Sequence, residues 1–209
     1  MISALEGLEQ LREGNRRFIS DVRGPSTRTS QKCRRKLVAA QEPFAIILGC
    51  ADSRVPPEIL FDQALGDLFV IRVAGNVAAP SQIGSIEFAA EQFHTRLVVV
   101  LGHSRCGAVQ ATLKELYCPS ERRSPHLCSI IDSIRPSVEA LRGSELRTDP
   151  DALMRCAVRA NIRATTHRLR HTSQILVQLI QAKELLIVGA EYSLDTGVVD
   201  FFDGLPGSN

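Results

Sequence analysis

The chain has 209 residues, 44% of them hydrophobic and 23% charged, enough for one sizeable core and a single domain. Its 25 basic and 23 acidic residues leave a net charge of only +2, without the basic surplus that binding to nucleic acid or a membrane surface calls for. No apolar run approaches the roughly 20 residues of a spanning helix, and the opening "MISALEGLEQLREGNRRF" lacks the charged-then-apolar pattern of a secretory signal. Six cysteines in a chain neither short nor loop-rich fit a reduced, cytoplasmic protein. In that setting cysteine points to metal or catalysis before it points to crosslinks.

In chain order, Leu5, Leu8 and Leu11 mark one face of a first helix that ends near Phe18. A polar loop follows ("DVRGPSTRTSQ"), then a short basic helix through Leu37 and Val38. Four continuous apolar runs come next, at 44–49, 68–73, 96–102 and 184–190. Runs without alternation are what strands covered on both faces look like, as in a parallel sheet. Ile83, Ile86, Ala90 and Phe93 recur at helix spacing, and 106–116 suits a helix directly after the third run. The region 126–182 reads as mostly helical, punctuated by Pro136, Gly143 and Pro150. The last segment, "GVVDFF" (197–202), follows a turn at Asp195-Thr196-Gly197 and suits an antiparallel edge strand. This alternation predicts an α/β fold, a mainly parallel central sheet flanked by helices, with its core over 44–209. In such sheets ligands bind beyond the carboxyl ends of the strands.

Two segments put chemistry there. In "GCADSRVPPE" (49–58), Cys50 follows the first strand, with Asp52 and Arg54 just behind. In "GHSRCG" (102–107), His103 and Cys106 follow the third. If those strands are close in the sheet, two sulfurs and an imidazole converge. Zinc favours these donors, and a catalytic zinc site has three protein ligands and one open position. Asp52 is then near enough to bind the metal itself or to accept a hydrogen bond from a hydroxide on it. A structural zinc would need a fourth Cys or His, and none adjoins either segment.

Other readings of the same residues stay open at this point. Cys50 and Cys106 can be small buried hydrophobes, and His103 a satisfied strand-end histidine. "GHSRCG" also partly fits a nucleophile elbow with Ser104, although Cys106 stands where the closing Gly belongs and no His follows Asp195. A Cys50 nucleophile with Arg54 as anion binder is a further variant of the hydrolase reading. His167 and His171 are four apart on a stretch carrying Arg163, Arg168 and Arg170, which favours a solvated basic face over a second metal pair.

The pair "CADSR" (50–54) and "GHSRCG" (102–107) resembles the two-part signature of the β-class carbonic anhydrases. The resemblance extends over nearly the whole chain, through "GNRRF" (14–18), "FDQALGDLFVIRVAGN" (61–76), "GSIEFA" (84–89) and "IVGAEYSLDTGVVDFF" (187–202). It implies one Zn2+ per chain on Cys50, His103 and Cys106, and reversible hydration of carbon dioxide to bicarbonate and a proton. Asp52 and Arg54 would form the dyad that orients the zinc-bound hydroxide. It also implies a homodimer or larger assembly in which an N-terminal helical arm (1–40) embraces the partner and active sites lie at the interface. Gln41 matches the glutamine that hydrogen-bonds substrate in the plant-like, open-site subgroup, so Asp52 is expected off the metal. Phe69 matches an aromatic wall residue. Phe88 falls where many members carry tyrosine, so a hydroxyl is missing there. The Gly107 N–H would face a substrate oxygen. Two thiolates cancel the charge of the cation, so the activity is expected to rise with pH above roughly 7. Carbonyl sulfide or carbon disulfide are related substrates that pocket shape decides.

Overall fold

Ala45–Gly49 (β1) and Leu97–His103 (β3) are buried at every position, the signature of central strands. The computed structural model describes residues 2–22, 31–118 and 124–207 and sets these two strands side by side in parallel. Leu68–Arg72 (β2) adds in parallel to β1, Leu186–Tyr192 (β4) in parallel to β3, and Val199–Asp203 (β5) antiparallel to β4. The order is β2-β1-β3-β4-β5, the mainly parallel sheet with one antiparallel edge that the apolar runs imply.

The register decides where the chemistry falls. Gly49 lies opposite Leu101, so the chain leaves β1 at Cys50 level with Gly102, one residue before His103. The third strand runs one residue further than its apolar stretch because Gly102 and His103 pair with Glu191 and Tyr192. The second stops at Arg72, since the chain then enters a tight turn over Ala74–Asn76 in which Gly75 has φ 71°. Such a left-handed conformation favours glycine.

Alternate strand residues feed two cores, as the pleat requires. Ile46, Leu48, Val98 and Val100 pack with Cys50 and Cys106 on one face, under Pro80–Gln92 (α4), Gly107–Tyr117 (α5), Pro125–Glu139 (α6), Pro150–Thr172 (α7) and Gln174–Gln181 (α8). Ala45, Ile47, Val99 and Leu101 pack on the other, with Leu8 and Leu11 of Ala4–Ile19 (α1) and Leu60 of Pro57–Leu60 (α3).

Helix α1 starts at a capping box in which Ser3 and Glu6 satisfy each other's backbone N–H. Its buried stripe is Gly7, Leu8, Leu11, Gly14 and Asn15. Leu5, expected on that face, is instead exposed. At 100° per residue it falls about 120° around the helix from Leu11. A side chain at Gly14 would collide with the Phe61 carbonyl, so the helix rests directly on that backbone. Asn15 then pins three segments, donating to the Leu60 and Gly197 carbonyls (3.2 and 2.9 Å) and accepting from the Val199 N–H (2.9 Å).

The basic helix is Gln31–Leu37 (α2); Val38 lies beyond it and is exposed. The polar loop before it falls almost wholly outside the described residues. Pro136 does not break α6, which continues to Glu139. The proline sits on the exposed face, where the carbonyl it frees can reach water, while Ile131, Ile134 and Val138 keep the buried stripe continuous. Pro150, by contrast, is the first residue of α7, with Asp149 capping the Asp151 and Ala152 N–H groups.

Candidate metal centre

At the carboxyl ends of β1 and β3 the ligand atoms of Cys50, His103 and Cys106 lie within 4.8 Å of one another, and all three residues are buried. Each is placed by a different device. Cys50 is the first residue past β1, where Arg72 donates from Nε to its carbonyl at 3.1 Å. His103 closes β3. Its Nδ1 meets the Ser104 carbonyl at 3.0 Å, so that nitrogen carries the proton and Nε2 presents its lone pair to the cluster. Cys106 occupies the N-cap position of α5.

The cluster is unfinished as protein chemistry. His103 Nε2 is fully buried and, among the described residues, has no hydrogen-bond partner. The two sulfurs stand 3.9 Å apart. Ligands at about 2.3 Å in a tetrahedron would put two sulfurs roughly 3.8 Å from each other. Two sulfurs and an imidazole are zinc donors, and the spacing fits that ion.

The electrostatics agree. The Cys50 thiol is pulled down, first by the Cys106 thiol facing it and then by the Asp52 and Gly75 N–H groups, against the cost of burial. Gly75 N lies 3.4 Å from its sulfur. Cys106 is pushed up, first by the Cys50 sulfur and then by burial, while the Ala108 and Val109 N–H groups pull the other way. The protein alone therefore favours one thiolate; a divalent cation is what lets both sulfurs ionise.

Beside the cluster Asp52 is turned onto Arg54. Arg54 donates from Nε to Oδ1 (2.9 Å), from Nη2 to Oδ2 (2.7 Å) and from its backbone N–H to Oδ1 (3.0 Å). That guanidinium, ahead of the Arg54 backbone N–H, holds the Asp52 carboxyl well below the usual carboxylate range. Asp52 Oδ2 is 3.9 Å from His103 Nε2. The Asp52 backbone is fixed too, by Arg72 Nη2 on its carbonyl at 2.5 Å.

The fold thus brings together Cys50, His103, Cys106, Asp52 and Arg54, with Gly107 next in line as the first residue of α5. Gln41 precedes β1 whereas Cys50 follows it, and five strand residues span about 16 Å. Within one chain they sit at opposite ends of that strand. Phe69 lies opposite Ile46, low on edge strand β2, and its ring packs on Phe88 (6.4 Å between centroids) and Phe93 (5.9 Å). Ser104 Oγ accepts the Leu194 N–H at 3.0 Å and has no histidine bond among the described residues, which disfavours the elbow reading. His167 and His171 are exposed, with stacked rings 4.1 Å apart, so their in-plane lone pairs do not converge on one point. The five cysteines whose side chains are described are all free.

Arg72 and Gly75 were not legible as site residues. Arg72 reaches the site through side-chain bonds to two backbone carbonyls and Gly75 through its own N–H, so neither shows among the residues that carry the chemistry. The one clue was the glycine three residues past the strand, in "RVAGN", where a left-handed turn is cheapest.

A buried, three-ligand Cys-His-Cys centre at the strand ends of a parallel sheet, with a carboxylate held beside it, defines a zinc enzyme. The sequence profile of the carbonic anhydrase family matches residues 45–199. A carbonic anhydrase of Mycolicibacterium smegmatis is 39% identical, covering 91% of this chain and 89% of its own length. Carbonic anhydrase 2 of Mycobacterium tuberculosis is 38% identical over 90% and 87%. Among solved structures, the Coccomyxa β-carbonic anhydrase in complex with acetazolamide superposes with a TM-score of 0.72 at 26% identity, covering 93% of this chain and 86% of that one. The chain belongs to the carbonic anhydrase family, in its β class, and its reaction is the reversible hydration of carbon dioxide.

Proposed function

We propose that hydration takes place at this corner, with Cys50, His103 and Cys106 holding zinc and Asp52 and Arg54 aiming the nucleophile. Zinc held there makes water nucleophilic near neutral pH. Asp52 is too weak a base to do that itself. Its carboxylate accepts the hydrogen of the nucleophile and so directs a lone pair at carbon dioxide. Arg54 keeps the carboxylate ionised and holds it away from the metal position. The observation that carries this reading is His103 Nε2, buried and unpartnered within 4.8 Å of both sulfurs and 3.9 Å from Asp52.

In the same proposal the Gly107 N–H, at the start of α5, meets a substrate oxygen. Gln41, Phe69 and Phe88 complete the substrate pocket from a second copy, since a single chain keeps Gln41 a strand's length from Cys50. The assembly is a cytoplasmic homodimer or larger, formed through the N-terminal helical arm. Support comes from β2 being an edge strand, and from the exposed Phe88, whose ring packs on Phe69 of that strand.

Metal analysis of protein purified without a chelator, paired with a carbon dioxide hydration assay, tests the reading. We expect one zinc per chain, and Cys50→Ser abolishing both metal and hydration. Ser104→Ala should keep most of the rate. Active protein without metal, or loss of hydration in Ser104→Ala with zinc retained, would overturn it.

A further inference from the structure

We propose that Asn161 is a positioning residue for the metal centre, acting through the backbone of Gly75 on the sulfur of Cys50. The inference rests on Cys50 being a metal ligand. Asn161 lies on α7, 1% exposed, and donates from Nδ2 to the Gly75 carbonyl at 2.8 Å. Gly75 in turn directs its N–H at Cys50 Sγ, 3.4 Å away. One buried amide, 86 residues along the chain from the turn, thus governs a backbone donor on the ligand.

The arrangement matters because of where the turn can flex. The N–H and the carbonyl of Gly75 belong to adjacent peptides joined at its Cα, the residue with the widest freedom in φ and ψ. Gly75 holds φ 71° and ψ 18° here. A side chain is not available to lock it, since a Cβ would stand 2.6 Å from Ile134 Cδ1. The neighbouring Asn76 N–H bonds the Val73 carbonyl at 3.1 Å, which closes the turn but leaves the carbonyl of Gly75 to Asn161. That carbonyl and the Asn76 N–H share one peptide plane, so Asn161 adds the hold from outside the turn that keeps the preceding N–H on the sulfur.

A hydrogen bond to a thiolate withdraws electron density from it. It weakens the sulfur's donation to a cation and fixes which lone pair faces the metal position. Asn161 is therefore assigned a role in both the retention of the ion and its electronic state, not in the stability of α7 alone.

Cobalt(II)-substituted protein gives the direct readout, through the near-ultraviolet sulfur-to-cobalt charge-transfer band. In Asn161→Ala and in the volume-preserving Asn161→Leu the band should move to lower energy. Zinc affinity, measured by chelator competition, should fall roughly tenfold or more, because losing the fixed orientation of the sulfur outweighs its stronger donation. Leu169→Ala supplies the control for stability, a fully buried core residue about two turns further along α7. It should lower the melting temperature and leave band and affinity in place. Asn161 variants with the wild-type band and wild-type zinc affinity would overturn the proposal, as would an equal band shift in Leu169→Ala. Wild-type protein that shows no thiolate–cobalt band would instead overturn the assignment of Cys50 as a ligand.

Discussion

The corner at the ends of β1 and β3 and the face where α7 meets β5 treat their polar groups in opposite ways. On the α7 face the charges that meet β5 are paired. Asp203 Oδ2 accepts from Thr166 Oγ1 (2.7 Å) and Arg170 Nη2 (2.8 Å), and Arg170 also donates to the Ile187 carbonyl (2.7 Å). Arg159 bridges Glu191 (3.4 Å) and Asp200 (2.9 Å) while its guanidinium lies 3.7 Å from the centre of the Phe202 ring. At the metal corner, with comparable means available, His103 Nε2 is left without a partner and two sulfurs face each other. An unanswered buried polar atom costs about 1–3 kcal/mol, so folding alone gives no reason to keep it. The difference separates residues that hold the fold from residues held for chemistry.

The dyad at the corner offers the sharpest way to break this contrast. Arg54 is 55% exposed and its hydrogen bonds among the described residues go to Asp52, so Arg54→Ala should leave the melting temperature and zinc content near wild type. Hydration should nevertheless fall by roughly 10²–10³, the range for losing an aligned polar group at a reacting centre. Stopped-flow hydration assays with metal analysis on the same samples read both. A variant that hydrates at the wild-type rate would place the corner among merely structural polar clusters.

The converse applies on the other face. Arg170→Ala strips Asp203 and the Ile187 carbonyl of a charged donor, in a half-buried setting. A loss of about 1.5–3 kcal/mol in unfolding free energy is expected, with zinc content and hydration per folded molecule unchanged. Denaturant unfolding of the zinc-loaded protein measures it. A large fall in activity without loss of stability would show that this network, too, serves the reaction.

How much of this was legible in the sequence follows from the same distinction. The β1 and β3 strands announced themselves because a strand buried on both faces has no polar alternation to blur it. Cys50, Asp52, Arg54, His103 and Cys106 were legible because each adjoins such a strand end, where position in the chain nearly fixes position in space. Leu5 misled because spacing of three looks apolar-periodic while drifting about 60° around the helix at each step. Pro136 misled because its cost depends on whether the freed carbonyl reaches water, and the sequence does not say which face it occupies. Asn161 gave no signal at all. It reads as one polar residue on a helix rich in them, and only the packing of α7 against the Ala74–Asn76 turn brings it to Gly75. Gln41, Phe69 and Phe88 carry roles implied by resemblance alone, and one chain keeps Gln41 at the far end of β1 from Cys50.

The smallest effect tests where the two regions meet. Glu191 pairs with Gly102 across β4 and β3, one residue from His103, yet its carboxylate turns to Arg159 on the α7 side. Burial raises its pKa, and the attraction of Arg159 offsets this only in part. The sign then follows from linkage. A carboxyl group whose folded-state pKa lies above its unfolded value binds more protons when folded, so stability falls as pH rises through that window. Below the unfolded value, about 4.3, the group is protonated in both states and costs nothing. Above the folded value the full cost of burying the charge is present. Glu191→Gln keeps an acceptor for Arg159 and removes the charge. Its melting temperature, compared with wild type from pH 4 to pH 8, should therefore improve relative to wild type as the pH rises, while hydration stays close to normal. A relative change in the opposite direction would mean that the Arg159–Glu191 pair outweighs burial. Glu191 would then join Asp203 among the fully answered charges, and the boundary between the two regions would lie closer to His103 than the geometry implies.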